Sequence, residues 1–189
     1  MTELLQTTEF TIASETAADV PAREALLDRA MGEGRFRKSS ETLRRGRMPA
    51  EGLAFAARDE AGTLIGTVRL WHVEAGIDQT GTPVPALLLG PLAVAPEAAS
   101  LGIGSALMCH AIAEAKTHGH RAILLVGDAP YYARFGFSAE KAATLTIPGP
   151  FERARFLGLE LVEEALEGAS GMLVAAGVRN VRYQAADAA

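Results

Sequence analysis

One apolar run limits the folds open to this chain: Leu87-Leu88-Leu89-Gly90-Pro91-Leu92-Ala93-Val94-Ala95-Pro96. A run of this kind suits a strand buried on both sides, yet Gly90-Pro91 interrupts its middle. Proline has no N–H to give a sheet ladder, so Pro91 marks an edge or a bulge, and Gly90 supplies the freedom a bulge uses. A turn from Glu97 to Gly104 follows, then a helical pattern to Lys116, a short strand from Ala122 to Val126, and the aromatic segment Tyr131 to Phe137. Strand, glycine turn, helix and strand read as a βαβ unit. The first turn of its helix leaves amides without partners, and Gly102 and Gly104 let a phosphate come close to them. A bulged strand also leaves backbone groups that an extended ligand can pair with. An extended ligand carrying phosphates at one end fits both features.

Leu92-Ala93-Val94, Pro96 and Gly102-Ile103-Gly104-Ser105-Ala106-Leu107 resemble motif A of the GNAT N-acetyltransferase superfamily. Tyr131-Tyr132-Ala133-Arg134-Phe135-Gly136-Phe137 resembles the aromatic motif of the same superfamily. The resemblance is sharp from Leu87 to Phe137 and extends more loosely from Phe10 to about Val178. It implies an α/β, single-domain GNAT-like fold with a mixed, largely antiparallel central sheet flanked by helices. That domain would span 1–183, with core motif 87–137 and a frayed tail at 184–189. It further implies acetyl-CoA as co-substrate, without a metal, and acetyl transfer to a primary amine by direct attack in a ternary complex. Leu92, Ala93 and Val94 would then pair with the pantetheine arm. Ala99, Ser100, Leu101, Gly102, Ile103, Gly104 and Ser105 would wrap the pyrophosphate, and Tyr132 would protonate the departing thiolate. The loop departs from the family where Ala99 replaces the usual Arg or Gln and Ser100 replaces a common glycine, which removes a side-chain grip on the pyrophosphate. A non-catalytic acyl-CoA-binding sensor or regulatory module on the same fold is the alternative.

The rest of the sequence excludes other chemistries. Gly102-Ile103-Gly104 meets Leu107 where a dinucleotide fingerprint needs its third small residue, and the lysine and hydroxyl pair of a P-loop is missing. The histidines and acidic residues show no strong metal-ligand spacing. A formal charge of -5 speaks against general nucleic-acid binding. One cysteine allows no intrachain disulfide and fits a reducing compartment. No signal peptide is evident and no apolar run is long enough to span a membrane, so the expected setting is cytoplasmic. The acceptor would be a small-molecule or peptide amine, and a homo-oligomer is compatible with the sequence.

Around the central unit, alternation about Phe10 and Ile12 predicts a first strand over Glu9 to Ser14. A helix is expected from Asp19, as N-cap, to Met31, ended by Gly32 and Gly34. Arg35 to Arg47 is the main basic cluster, with Ser39 or Ser40 capping a short helix. It reads either as a solvated surface or as an acceptor-site wall that attracts an anion. Leu53 to Arg58 and Thr63 to Val73 read as a hairpin turning at Asp59-Glu60-Ala61-Gly62. Trp71 reads as core or pocket lining. His72 and Glu74 share one strand face, as an exposed strand end or as a proton relay for the amine. Ala75 to Pro85 reads as a loop. In the motif helix Ile103, Leu107, Met108, Ala111 and Ala115 should pack on the sheet, leaving Cys109 a bystander. Thr144 to Ile147, Arg155 to Val162 and Met172 to Ala176 are expected strands, with a short helix over Glu163 to Glu167.

Overall fold

The computed structural model describes residues 9–180; the expected tail over 184–189 lies outside them. The strands are β1 (Phe10–Ser14), β2 (Ala54–Asp59), β3 (Leu64–Ile77), β4 (Pro83–Val94), β5 (Ala122–Val126), β6 (Leu145–Thr146), β7 (Phe156–Glu160) and β8 (Ser170–Ala175). The α-helices are α1 (Val20–Met31), α2 (Ser39–Arg44), α3 (Ile103–Thr117) and α4 (Ala129–Ala133). The sheet runs β1-β2-β3-β4-β5-β7, while β8 pairs with the far end of β3 and with β6. Its pairings are antiparallel except β4 with β5 and β6 with β8. This is the mixed, mostly antiparallel sheet flanked by helices that the motifs imply.

Burial explains the apolar runs. Leu87 and Leu89 of β4 and Ile123 and Leu125 of β5 join one core with Leu26 of α1 and Leu107 of α3. The alternate residues Ala86, Leu88, Ala122 and Leu124 join a second core with Leu43 of α2, Leu145 and Phe156. Strands covered on both faces lose polar alternation and read as continuous apolar stretches. The predicted stripe of α3 is buried throughout, and it can sit close because Gly66 of β3 has no side chain beneath it. A methyl group there would stand 2.9 Å from Ile103 Cγ2 and 3.0 Å from Leu107 Cδ1. Cys109 is exposed.

Four local expectations need correction. Ala75 to Pro85 is mostly strand: β3 continues to Ile77 and β4 begins at Pro83, so only Asp78 to Thr82 turn. The glycine there marks a bulge, because Gly76 has φ +62° and its Cα faces the Ser170 carbonyl of β8 so closely that a Cβ would collide. Glu163 to Glu167 forms turns and no helix, since Glu164 takes a left-handed φ of 62°. Asp19 does not cap α1 through its own side chain. Its carboxylate instead accepts from Thr16 N (2.7 Å) and Arg58 Nη2 (2.6 Å), closing a 3₁₀ turn over Ala17–Asp19 that leads into the helix. Ser39 does not cap α2 either; its hydroxyl donates to the Pro150 carbonyl, tying α2 to the loop before β7.

Gly66→Val should therefore overpack the α3–β3 contact. Overpacking commonly costs about 1–3 kcal/mol, so thermal unfolding should fall by roughly 2–4 °C per kcal/mol for a chain of this size. An unchanged melting temperature would show that α3 does not sit on β3 as described.

Candidate active site

The site begins at the interruption in β4. Val68 of β3 lies opposite Leu92 and Leu70 opposite Leu89, so Gly90 and Pro91 together oppose the single residue Arg69. This is a bulge. Gly90 takes φ +136°, a conformation open to glycine. Its carbonyl accepts a hydrogen bond from Trp71 Nε1 at 2.5 Å, which holds the bulged peptide against the buried indole. On its other side, β4 pairs with β5 only at Leu87–Ile123 and Leu88–Leu124. Beyond these pairs the two parallel strands part, although β4 stays paired with β3 through Val94. The opening between them therefore starts at the bulge and is flanked by Leu92, Ala93 and Val94.

At one end of this opening lies the start of α3. Gly102 takes the left-handed conformation (φ 77°) as its N-cap, and the first intrahelical bond runs from Ala106 N to Gly102 O at 3.0 Å. The amides of Ile103, Gly104 and Ser105 are thus those a helix start leaves for an outside acceptor. The preceding Ala99, Ser100 and Leu101 are exposed. Ser100 has φ 72°, which gives the physical reason a glycine would suit its position. Tyr131 reaches this end too, since a methyl at Gly104 would lie 2.9 Å from its hydroxyl. The Arg134 guanidinium stacks 4.0 Å from the Tyr131 ring centroid.

Tyr132 sits at the bulge. It comes from α4, and its ring lies over Gly127 so tightly that any side chain there would collide with it. It meets Tyr131 and Phe137 edge-on at 4.9 and 6.0 Å. With Leu89, Gly90, Pro91 and Leu125 it lines a small cavity of about 80 Å³. Burial, with a smaller push from Tyr131, raises the phenol to about 12 against the opposing pull of Arg155. Tyr132 is therefore a neutral hydrogen-bond donor throughout the physiological range.

His72 and Glu74 are not brought to this cavity. They share the strand face expected of them, but they line a different hollow with Gly119, His120 and Arg121. That hollow is beside the C-terminal end of α3, while Tyr131 marks its N-terminal end. A helix of 15 residues spans about 22 Å, too far for a proton relay between the two places. Strand period gave the shared face correctly, but it carries no information about position along the helix packed on that face.

The basic segment divides. Arg44 is 8% exposed and donates Nη2 to Glu41 at 3.0 Å. Its Nη1 is near the bulge, where a methyl at Gly90 would lie 3.2 Å away. Burial, with the charges of Arg35 and Arg69, pushes the Arg44 guanidinium below its ordinary range despite Glu41. Arg69, opposite the bulge, is held with Arg23 by the buried Glu15 carboxylate. No local motif or spacing in the sequence marks Glu15 or Arg69. The one hint is Arg69 itself, a cation between the apolar residues Val68 and Leu70 of a strand.

Comparisons with known proteins bear on the family and the fold. The model of the acetyltransferase (GNAT) family matches residues 21–137. The uncharacterised N-acetyltransferase YhbS of Escherichia coli K12 is 27% identical over 162 residues, which cover 86% of this chain and 93% of YhbS. The crystal structure of Escherichia coli YhbS in complex with CoA superposes with a TM-score of 0.74 at 26% identity, covering 89% of this chain and 91% of that one. A GNAT family acetyltransferase from Brucella melitensis, in complex with acetyl-CoA, shares the fold at a TM-score of 0.61 and 23% identity. That match covers 82% of this chain and 89% of the other.

The left-handed Ser100 makes a direct prediction. A non-glycine residue there costs about 1–2 kcal/mol, and glycine returns about 0.5–1 kcal/mol as unfolded-state entropy. Ser100→Gly should raise stability by roughly 0.5–1 kcal/mol in denaturant unfolding. A loss of stability would contradict this turn geometry.

Proposed function

The chain belongs to the acetyltransferase (GNAT) family, and on that premise we propose that it transfers an acetyl group from acetyl-CoA to a primary amine by direct attack in a ternary complex. The observation that carries this reading is the meeting of Tyr132 with the Gly90-Pro91 bulge in one small cavity, at the mouth of the β4–β5 opening. Pantetheine extends along Leu92, Ala93 and Val94, pairing with backbone that β5 leaves free. The pyrophosphate rests in the turn from Ala99 to Ser105, where unpaired amides and the positive end of α3 favour an anion. No metal is needed to neutralise it, and among the described residues no group of three or more ligating side chains is placed to hold one.

In the reaction the neutral amine attacks the thioester carbonyl, the new N–C bond forms, and the C–S bond breaks. One proton leaves nitrogen and one ends on sulfur. A backbone amide near the bulge stabilises the oxyanion. Tyr132 donates its phenolic hydrogen bond to sulfur as the bond breaks. A phenol is a weaker acid than a thiol, about 10 against about 8.5 in water, and burial of Tyr132 widens the gap. Outright transfer from tyrosine to thiolate is therefore uphill, and the phenol works while the proton released by the amine replaces its own. General-acid assistance of this kind is commonly worth about 100- to 10,000-fold.

Tyr132→Phe keeps the ring over Gly127 and removes only the hydroxyl. We expect kcat to fall by about 100-fold or more, with acetyl-CoA affinity and melting temperature nearly unchanged. Tyr131→Phe should leave kcat much less affected. Because the Tyr132 phenol stays protonated up to about 12, it should impose no alkaline fall in rate below ~pH 10. The rate should instead rise with pH as the acceptor ammonium, near 10 for a lysine-type amine, loses its proton. Near-normal turnover by Tyr132→Phe, with chemistry rate-limiting, removes Tyr132 from the mechanism. Acetyl-CoA binding without turnover of any amine would favour a sensor on this fold.

The exposed Ala99 offers a test of the phosphate site. Ala99→Arg restores the side chain the family usually places there. A charged hydrogen bond is worth roughly 1.5–3 kcal/mol, less in solvent, so CoA should bind up to about tenfold more tightly by calorimetry. Unchanged or weaker binding would put the pyrophosphate elsewhere.

A further inference from the structure

Beside the Tyr132 cavity lies a second hollow of about 230 Å³, and Arg44 and Pro91 border both. The second hollow has Arg35, Arg45, Arg47 and Arg69 on its walls beside Arg44, and the carboxylates of Glu24 and Glu41 line it too, so that guanidinium groups predominate. Arg35 is paired with Glu24 and Asp28, and Arg69 with Glu15. Arg45 and Arg47 are held by neutral carbonyls, Arg45 Nη2 to Phe36 O at 3.1 Å and Arg47 Nη1 to Gly177 O at 2.6 Å. Their charges have no carboxylate opposite them among the described residues. Arg44 is the deepest of the set. A guanidinium offers five N–H donors, and Glu41 takes Nη2 alone. Its buried Nε has no hydrogen-bond partner among the described residues, and Nη1 lies near the bulge. A guanidinium taken from water and left partly unbonded is costly unless something completes its hydrogen bonds.

We infer that the acceptor is a small amine that also carries a carboxylate, with its amine in the Tyr132 cavity and its carboxylate bonded to Arg44 within the arginine-lined hollow. The inference rests on the acetyl-transfer reading above and names the substrate class of that same site. The geometry fits because Arg44 stands at the border of the two spaces, so amine and carboxylate are separated by only a few bonds. A fork-shaped guanidinium matches a planar carboxylate, and the charges of Arg45 and Arg47, which no carboxylate among the described residues pairs, draw an anion into a protein that is acidic as a whole. Lys38, which lines the Tyr132 cavity, adds to the same field. Burial and the charges of Arg44 and Arg155 push its ammonium below the ordinary range.

The test uses the full chain with acetyl-CoA and a panel of matched acceptors: the common L-amino acids and dipeptides, the carboxamide of each, and aminoalkylphosphonates of similar length. A charge-assisted hydrogen bond corresponds to about 10- to 100-fold. Acids should exceed their carboxamides by that factor in kcat/KM, mainly through KM. In Arg44→Gln the acid-to-amide ratio should fall towards one. Arg44→Lys, which keeps the charge and lowers the risk of misfolding, should retain part of the ratio. Equal use of acids and amides, an unchanged ratio in Arg44→Gln, or acetyl-CoA binding with no turnover of any carboxylate-bearing amine overturns the inference. Faster turnover of the phosphonates overturns the choice of carboxylate. Calorimetry on the same preparations separates the two readings. A protein that does not bind acetyl-CoA loses the transferase reading as well, whereas one that binds it and prefers neutral amines loses only the inference about the acceptor.

Discussion

The local constraint on which the candidate site depends is that Gly90 and Pro91 occupy the space of one residue opposite Arg69. The extra residue turns β4 away from β5 after only two paired positions, while the β3 side of the ladder continues to Val94. An opening inside a sheet exposes backbone polar groups and must be held against collapse. Here Trp71 holds it, because its indole N–H fixes the Gly90 carbonyl and its ring sits in the second core. The same bulge brings Tyr132 and Arg44 beside one short stretch of backbone. The proposed cofactor arm, proton donor and acceptor contact would thus share one structural origin.

Charge is divided along that opening. At the α3 end the protein offers backbone amides and a helix dipole, which suit phosphates without a fixed cationic side chain. At the bulge end it offers guanidinium groups, some neutralised and some not. The buried Glu15 carboxylate holds both Arg23 and Arg69, joining the segment after β1 to α1 and β3. Such buried pairs are weak evidence for net stability because desolvation offsets attraction. Their clearer consequence is positional: Arg69 is fixed opposite the bulge, and its charge bears on Arg44 rather than on solvent.

Much of this was legible in the sequence because its signals are local. Pro91 inside an apolar run marks a bulge, Gly102 and Gly104 mark a helix start, and Ile103, Leu107, Met108, Ala111 and Ala115 mark a buried face, as the structure bears out. What local composition does not show lies where it meets a distant partner. Ala75 to Pro85 looks like a loop until β8 pairs with the end of β3, where Gly76 leaves no room for a side chain beside the Ser170 carbonyl. His72 and Glu74 share a face, but only the packing of α3 reveals that they lie at its far end. Glu15 and Arg69 are 54 residues apart, and no spacing rule links them. Arg44 stood out as part of a basic run, yet nothing in the sequence separates it from Arg45, which faces solvent.

In the proposed complex the thioester lies in the β4–β5 opening with its sulfur at Tyr132 and its pyrophosphate on the first turn of α3. A crystal structure of the full chain with acetyl-CoA measures this most directly. Pantetheine should pair with the backbone of Leu92 to Val94, phosphate oxygens should meet the amides of Gly102 to Ser105, and the sulfur should lie within hydrogen-bond reach of the Tyr132 hydroxyl. Density for the cofactor outside the opening, or a sulfur remote from Tyr132 with the opening closed, would contradict it.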